Sequence, residues 1–284
     1  MAIFPDRWGV VAAISGFSTI FSLGGIMEFY EFPIIAVEPL TFGIISGVIC
    51  AVTWRLHRNL KFNQVRSIAE RSEAIINASQ KDIEKLETLY DELNQNYSNN
   101  IIIQPLDLEK AEEIDYEKIV RAIEDEYHKI DGLVNNAAIL GEKKPLEQYS
   151  YSSWKNVLKV NLDASFLLTK NLMPLLKKSD KSSIIFTSSG VGRKGRAYWG
   201  AYSISKFAIE AMTQILSEEL QNTSNVRVNC INPGAVRTKM RESAYPAEKP
   251  EKNPLPIEII KPYLYLISDM SLKINGQSID AQEH

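Results

Sequence analysis

From residue 73 onward the hydrophobic pattern follows two rhythms. Short continuous apolar runs read as buried strands, and stretches with apolar residues every three to four positions read as amphipathic helices. Strands are expected at residues 74–78, 100–108, 133–135, 182–188, 226–231 and 277–280. Helices are expected at 82–95, where Ile83, Leu86, Leu89, Tyr90 and Leu93 share a face, and at 116–130, 152–176, 200–222 and 257–268. Strands that alternate with helices predict an α/β fold with parallel pairing and right-handed crossovers. Residues 242–256, rich in Pro, Glu and Lys, read as a mobile loop.

The first seventy residues break this pattern. Residues 8–27 carry no charge, close to the length of a membrane span, and residues 32–54 form a second apolar run interrupted by Pro33, Glu38 and Pro39. Arg55, His57, Arg58 and Lys61 follow, as a cytoplasmic flank would. One reading is a hairpin membrane anchor over residues 8–54. The other is structural: a parallel sheet needs a strand in its central slot, and residues 10–15 or 41–46 would fill it. The division expected is therefore an atypical apolar segment, 1–71, and a main domain, 72–284.

Composition narrows the function classes. The 284-residue chain is 24% charged and 45% hydrophobic, ordinary for a globular protein, and its net charge of -3 without a basic stripe argues against nucleic acid. Its two cysteines, Cys50 and Cys230, lie in apolar surroundings and read as reduced, buried residues of a cytoplasmic protein. The three histidines are scattered, and no Cys/His cluster suggests a metal.

The candidate chemistry sits in residues 182–206. A strand ends in the hydroxyl cluster Thr187, Ser188 and Ser189, a loop rich in Gly, Arg and Lys follows, and the next helix carries Tyr202 and Lys206 at i and i+4 on one face. An ammonium beside a phenol is expected to pull its pKa down from about 10, toward a value useful for acid/base work. Ser189 stands thirteen residues before Tyr202. Asn161 lies inside a helix, where asparagine is a poor fit and wants a reason. Tyr198, Trp199, Arg193 and Arg196 suggest an aromatic and cationic mouth, unless those arginines are solvated loop charges. A substrate pocket is expected from residues 138–144, 193–199 and 240–250.

Ser189, Tyr202 and Lys206 resemble the active-site signature of the short-chain dehydrogenase/reductase family. The flanking segments agree in order and spacing: Asn135-Asn136-Ala137-Ala138, then Val160-Asn161, then Asn232-Pro233-Gly234 followed by Thr238. In its details, Gly190-Val191-Gly192-Arg193 and Ile279-Asp280-Ala281-Gln282, the chain resembles the bacterial YciK-like subgroup. The resemblance covers residues 73–282. It implies a Rossmann-like doubly wound parallel sheet with helices on both faces, here with an irregular or replaced first strand. It also implies hydride transfer between a nicotinamide and a small carbonyl or alcohol substrate, and assembly as a homo-oligomer. Tyr202 would move the proton, Lys206 would lower its pKa and hold the nicotinamide ribose, Ser189 would bind the substrate oxygen, and Asn161 would keep a relay water. Asp107 and Leu108, with Asn135 and Ala137, would hold the adenosine side; Pro233, Gly234, Val236 and Thr238 would lie near the carboxamide.

The family's Thr-Gly-x3-Gly-x-Gly string, whose glycines admit the pyrophosphate, has no counterpart here. Ser15-Gly16 and Ser46-Gly47 keep only its start. The dinucleotide is then held differently or poorly, or residues 1–71 have replaced the usual start. An alternative to an enzyme is a dehydrogenase-like scaffold or binding protein lacking the phosphate loop. At the end of the second strand Asn77, Ser79 and Gln80 are neutral and Lys81 follows, which leans toward NADP over NAD.

Overall fold

The structure is a computed structural model. It describes residues 106–282 and, before them, the strands Val10–Ile14 (β1), Thr19–Ile20 (β2), Val37–Glu38 (β3), Ile49–Val52 (β4), Ala74–Asn77 (β5) and Ile102–Ile103 (β6). The remaining strands are Gly132–Asn136 (β7), Ser182–Thr187 (β8), Val226–Asn232 (β9) and Ser278–Asp280 (β10). The helices are Glu113–Glu126 (α1), Tyr151–Leu158 (α2), Ala164–Lys177 (α3), Gly200–Leu220 (α4), Lys239–Ala244 (α5) and Lys261–Ile267 (α6).

The main sheet runs β1-β7-β8-β9-β10, and every pairing in it is parallel. Residues 10–14 thus take the slot beside β7, one of the two expected candidates. The other, 41–46, lies outside the described residues, as does the expected helix at 82–95. Every residue of β7, β8 and β9 is buried, as befits strands covered on both faces. Helices α3, α4 and α6 pack on these strands. Leu168, Leu172 and Leu176 of α3 and Ile209 of α4 share one core with Leu133, Ile184, Phe186 and Val228. Each such side chain contributes roughly 1.5–3 kcal/mol by burial.

Three expectations are corrected. The strand at 74–78 is β5, yet its two edges go to antiparallel β4 and parallel β6 in a separate three-stranded sheet, so neither is left to hydrogen-bond β1. The strand expected at 100–108 stops early, because the carbonyl of Asp107 accepts from the N–H groups of Lys110 and Ala111 and starts a turn. The loop expected at 242–256 is tied down. The Arg241 guanidinium grips Glu248 at 2.5 and 2.7 Å, and Arg237 donates to the carbonyls of Pro250, Glu251 and Asn253. Among the described residues no helix is long and apolar enough to cross a membrane; most of residues 8–54 lies outside them.

Register brings the carboxyl ends of the main strands to one edge. Ile14 pairs with Asn136, Thr187 with Ile231 and Asp280 with Asn232. In an open parallel sheet this edge is where ligands bind. The 3-10 turn Gly190–Gly192 leaves that edge and lies on α4. A Cβ added at Gly192 would stand 2.9 Å from the carbonyl carbon, oxygen and Cβ of Lys206. Helix backbone cannot yield there. Gly192→Ala is expected to lower stability by about 1–3 kcal/mol, read as a drop in thermal midpoint; an unchanged midpoint would show that the turn has room to shift.

Candidate active site

The end of β8, the turn after it and the first turns of α4 bring Ser189, Tyr202 and Lys206 together. Tyr202 and Lys206 are buried, at 8% and 3% exposure. Lys206 reaches back from the helix, and its Nζ donates to the Thr187 carbonyl at 2.6 Å. Ser189 caps the 3-10 turn, its hydroxyl accepting from the Val191 N–H at 3.5 Å.

The charge on Tyr202 departs from expectation. Burial pushes the phenol up to about 12, while the neighbouring Ser189 hydroxyl pulls the other way. Lys206 gives no downward pull, because its ammonium is aimed at a carbonyl and lies 5.7 Å from the centre of the tyrosine ring. Burial also pushes Lys206 itself down to about 8. In this structure desolvation wins over the ion–phenol attraction.

Asn161 explains its own odd position. The helix expected at 152–176 is broken between α2 and α3 by a π-helical stretch, Lys159–Asp163, a bulge common at functional sites. Its side chain clamps the chain leaving β7: Oδ1 accepts from the Ile139 N–H at 2.7 Å, and Nδ2 donates to the Ile139 carbonyl at 3.0 Å and to Ser205 Oγ at 3.1 Å. Both amide hydrogens are therefore committed to protein partners.

Sequence reasoning missed a polar network beneath the site. Glu210, buried on α4, accepts from Ser188 Oγ at 2.5 Å, Ser278 Oγ at 2.9 Å and Cys230 Sγ at 3.2 Å, and lies 3.4 Å from Arg193 Nε. Arg193 Nη1 donates to both oxygens of Asp280, at 2.9 and 2.8 Å, and Asn232 Nδ2 donates to Asp280 Oδ1 at 2.6 Å. Gln282 Nε2 donates to the carbonyls of Pro233 and Ala235. The segment 278–282 thus holds the loops after β8 and β9 at once. Arg193, expected at the pocket mouth, turns instead to β10. Its only advance signal was that Gly190–Arg193 and Ile279–Gln282 stood out together in the sequence.

The residues expected around a cofactor are placed as follows. Asn135 is buried at the end of β7; Nδ2 donates to Thr169 Oγ1 at 3.1 Å, and Oδ1 is buried without a partner. Ala137, Leu108 and Val236 are buried. Asp107 accepts from the Glu109 N–H at 3.1 Å and pairs with Lys110 at 3.3 Å, beside a cleft of about 300 Å³ lined by Leu106, Ala111 and Ile119. Pro233 and Gly234 border the Gln282 clamp, with Gly234 at a φ of +73°. Thr238 caps α5, accepting from the Arg241 N–H at 3.1 Å. Lys81 lies outside the described residues.

Three aromatic residues lie around the end of β8 and Tyr202. The Trp199 ring stands 5.6 Å from that of Tyr202 and 6.0 Å from that of Tyr245, centre to centre. Tyr263 Oη lies 3.2 Å from Thr187 Oγ1. Lys143, Trp199 and Tyr245, one from each segment expected to line a pocket, meet here.

Known proteins resemble this chain in sequence and fold. A short chain dehydrogenase family model matches residues 63–249. The oxidoreductase YciK of Escherichia coli (strain K12) is 46% identical over 177 residues, covering 62% of this chain and 69% of that protein. A short chain dehydrogenase of Escherichia coli CFT073 complexed with NADPH superposes with a TM-score of 0.70 at 42% identity, over 74% of this chain and 85% of that one. A second, from Shigella flexneri 2a str. 301 and complexed with NADP, gives a TM-score of 0.70 at 41% identity over 74% and 86%. The chain belongs to the short chain dehydrogenase family, within its YciK-like subgroup.

Proposed function

We propose that Tyr202, with Ser189 and Lys206, carries the proton in an NAD(P)-dependent interconversion of a carbonyl and an alcohol. The family is one of NAD(P)-dependent oxidoreductases acting on small molecules, and this chain is one of them. The observation that carries the assignment of roles is the meeting of the three side chains at the carboxyl edge of the sheet, with Lys206 tied to the end of β8. The scaffold reading, raised by the absent glycine string, gains no support from relatives that are oxidoreductases.

Two features fit a dinucleotide. The buried Asn135 Oδ1 lacks a partner at the strand edge, and the cleft at Asp107 has room at the adenosine end. Asn135, Asp107, Leu108 and Ala137 would then face the adenosine side, and Tyr202, Lys206, Pro233, Gly234, Val236 and Thr238 the nicotinamide side. When bound, the nicotinamide supplies or accepts the hydride. Tyr202 holds its proton through the neutral range, since its phenol lies near 12, and so acts as the acid toward a carbonyl oxygen. The Ser189 hydroxyl donates to that oxygen and stabilises charge as it develops. Lys206, charged at neutral pH, is aimed at the Thr187 carbonyl at rest and would favour loss of the phenolic proton on turning toward Tyr202. Asn161 holds the backbone at Ile139 and thereby the wall of the site. The neutral end of β5 and the cofactors bound by the two superposed dehydrogenases favour NADP.

Residues 72–284 form the dehydrogenase core and 1–71 an atypical segment whose residues 10–14 supply the first strand. The buried, unpaired Cys230 favours a reducing compartment, the cytoplasm. Phe166 of α3 and Ile204, Phe207 and Ile215 of α4 are apolar and exposed, and favour a homo-oligomer built on these helices.

Tyr202→Phe is expected to cut carbonyl-dependent NADPH consumption at least about 10³-fold while circular dichroism stays native; retained turnover would remove Tyr202 from the mechanism. The pH profile of reduction should be set by Lys206. Its folded value, about 8, lies below its value in the unfolded chain, so charge is lost from about pH 8 upward. Reduction should fall across that point, and a rate that stays level to about pH 10 would separate Lys206 from proton transfer. By linkage the same group adds stability as pH climbs from 8 toward 10.5, where only the unfolded chain keeps the proton. Sedimentation equilibrium should show a dimer or larger, weakened by Phe166→Asp with Phe207→Asp; a wild-type monomer would dismiss the helix interface.

A further inference from the structure

The mouth of the site holds a cation of its own. Lys143 Nζ lies 4.0 Å from the centre of the Trp199 ring and 5.0 Å from that of Tyr245. Trp199 in turn stacks toward Tyr202. The ammonium therefore sits on the ring that neighbours the residue assigned the proton.

Its placement is built from both sides. Gly141 takes a φ of +68°, and a Cβ there would collide with Tyr149 Oη at 2.3 Å and Val157 Cγ2 at 2.4 Å. The next residue is pinned twice: the Glu142 N–H donates to Tyr149 Oη at 3.0 Å, and the Glu142 carboxylate accepts from the Ser150 N–H at 3.0 Å. Lys143 follows at once, with its stem directed at the indole. The indole is fixed as well, since Tyr198 adopts a φ of 69° and Gly200 one of 33° on either side of Trp199. A positive φ at a non-glycine residue is strain that the surroundings must enforce.

The nearby carboxylates are already spoken for. Glu142 pairs with Lys144 at 3.3 Å, and Glu248 with Arg241 at 2.5 Å. Among the described residues Lys143 has no acidic partner, and the Arg241 guanidinium, stacked on the other ring 4.0 Å from the centre of Tyr245, adds repulsion. Partial desolvation against the rings and that charge together hold the largely exposed Lys143 below the ordinary lysine range. An exposed ammonium held over two ring faces gains by meeting an anion.

We infer that the substrate is an anionic carbonyl compound: Lys143 receives its carboxylate or phosphate while Trp199 and Tyr245 flank the body between that anion and the carbonyl at Tyr202. The inference rests on the reading of Tyr202 as the proton carrier. It names Lys143, not Arg193 or Arg196, as the residue that sets specificity.

The test uses matched aldehydes, 4-carboxybenzaldehyde and its methyl ester, with 4-formylphenyl phosphate to tell phosphate from carboxylate recognition. The acid-to-ester ratio of kcat/KM should favour the acid by roughly ten- to a hundredfold. Lys143→Met should bring that ratio near one, and Lys143→Glu should invert it. Binding is measured separately by calorimetry on Tyr202→Phe protein, which needs no chemistry. There the acid or the phosphate should bind more tightly than the ester, and the difference should vanish when Lys143→Met is added. Anion preference in binding alongside undiminished turnover by Tyr202→Phe would sink the proton assignment and leave this inference standing. Equal binding of acid, phosphate and ester, or a preference indifferent to Lys143, would overturn it.

Discussion

The hydrogen bond from Lys206 Nζ to the Thr187 carbonyl is the join on which the site depends. It draws a buried ammonium across from α4 to the end of β8, where a strand carbonyl has run out of ladder partners. With that bond made, Tyr202 one turn earlier on the helix is carried over the strand end beside Ser189. The close approach of Gly192 to the backbone at Lys206 seals the same seam from the loop side. Burial is what makes the join consequential. It raises the phenol and lowers the amine, so the pair rests in the proton inventory of an acid poised to give and a cation poised to help.

A second layer keeps the loops in register with that join. Glu210 gathers Ser188, Cys230, Ser278 and Arg193, and Asp280 gathers Arg193 and Asn232. These groups come from one loop, one helix and two strands. Deleting one partner would leave the others buried without compensation, which is costlier than the bond itself is worth. The short strand β10 therefore acts as a fastener as well as a sheet edge.

How much of this could be read beforehand follows from the range of each interaction. Tyr202 and Lys206 are four residues apart on one helix, and periodicity alone put them on one face. The alternation of strands and helices gave the parallel sheet from β7 to β10. Asn161 advertised itself by being a poor helix residue, yet the π-helical stretch and its clamp on Ile139 depend on a partner 22 residues away. Arg193 looked like any loop arginine because Asp280, 87 residues on, decides where it points. The pKa of Tyr202 went the other way from the expectation because i+4 spacing says where a lysine begins and not where its ammonium ends. The firm loop after α5 was misread because Arg241 and Arg237 bind through geometry that composition does not carry.

The reach of the β10 fastener has a temporal side. Contacts that span many residues close late, after helices and neighbouring strands have formed, because the intervening loop must first lose its freedom. Arg193 with Asp280, and Gln282 with Pro233, are contacts of this kind. The sheet and its long helix can assemble around Phe186 and Leu172 while the loops that shape the reaction chamber remain open. The topology thus allows a folded core to precede a finished reaction chamber, since the chamber's loops are tied when β10 docks.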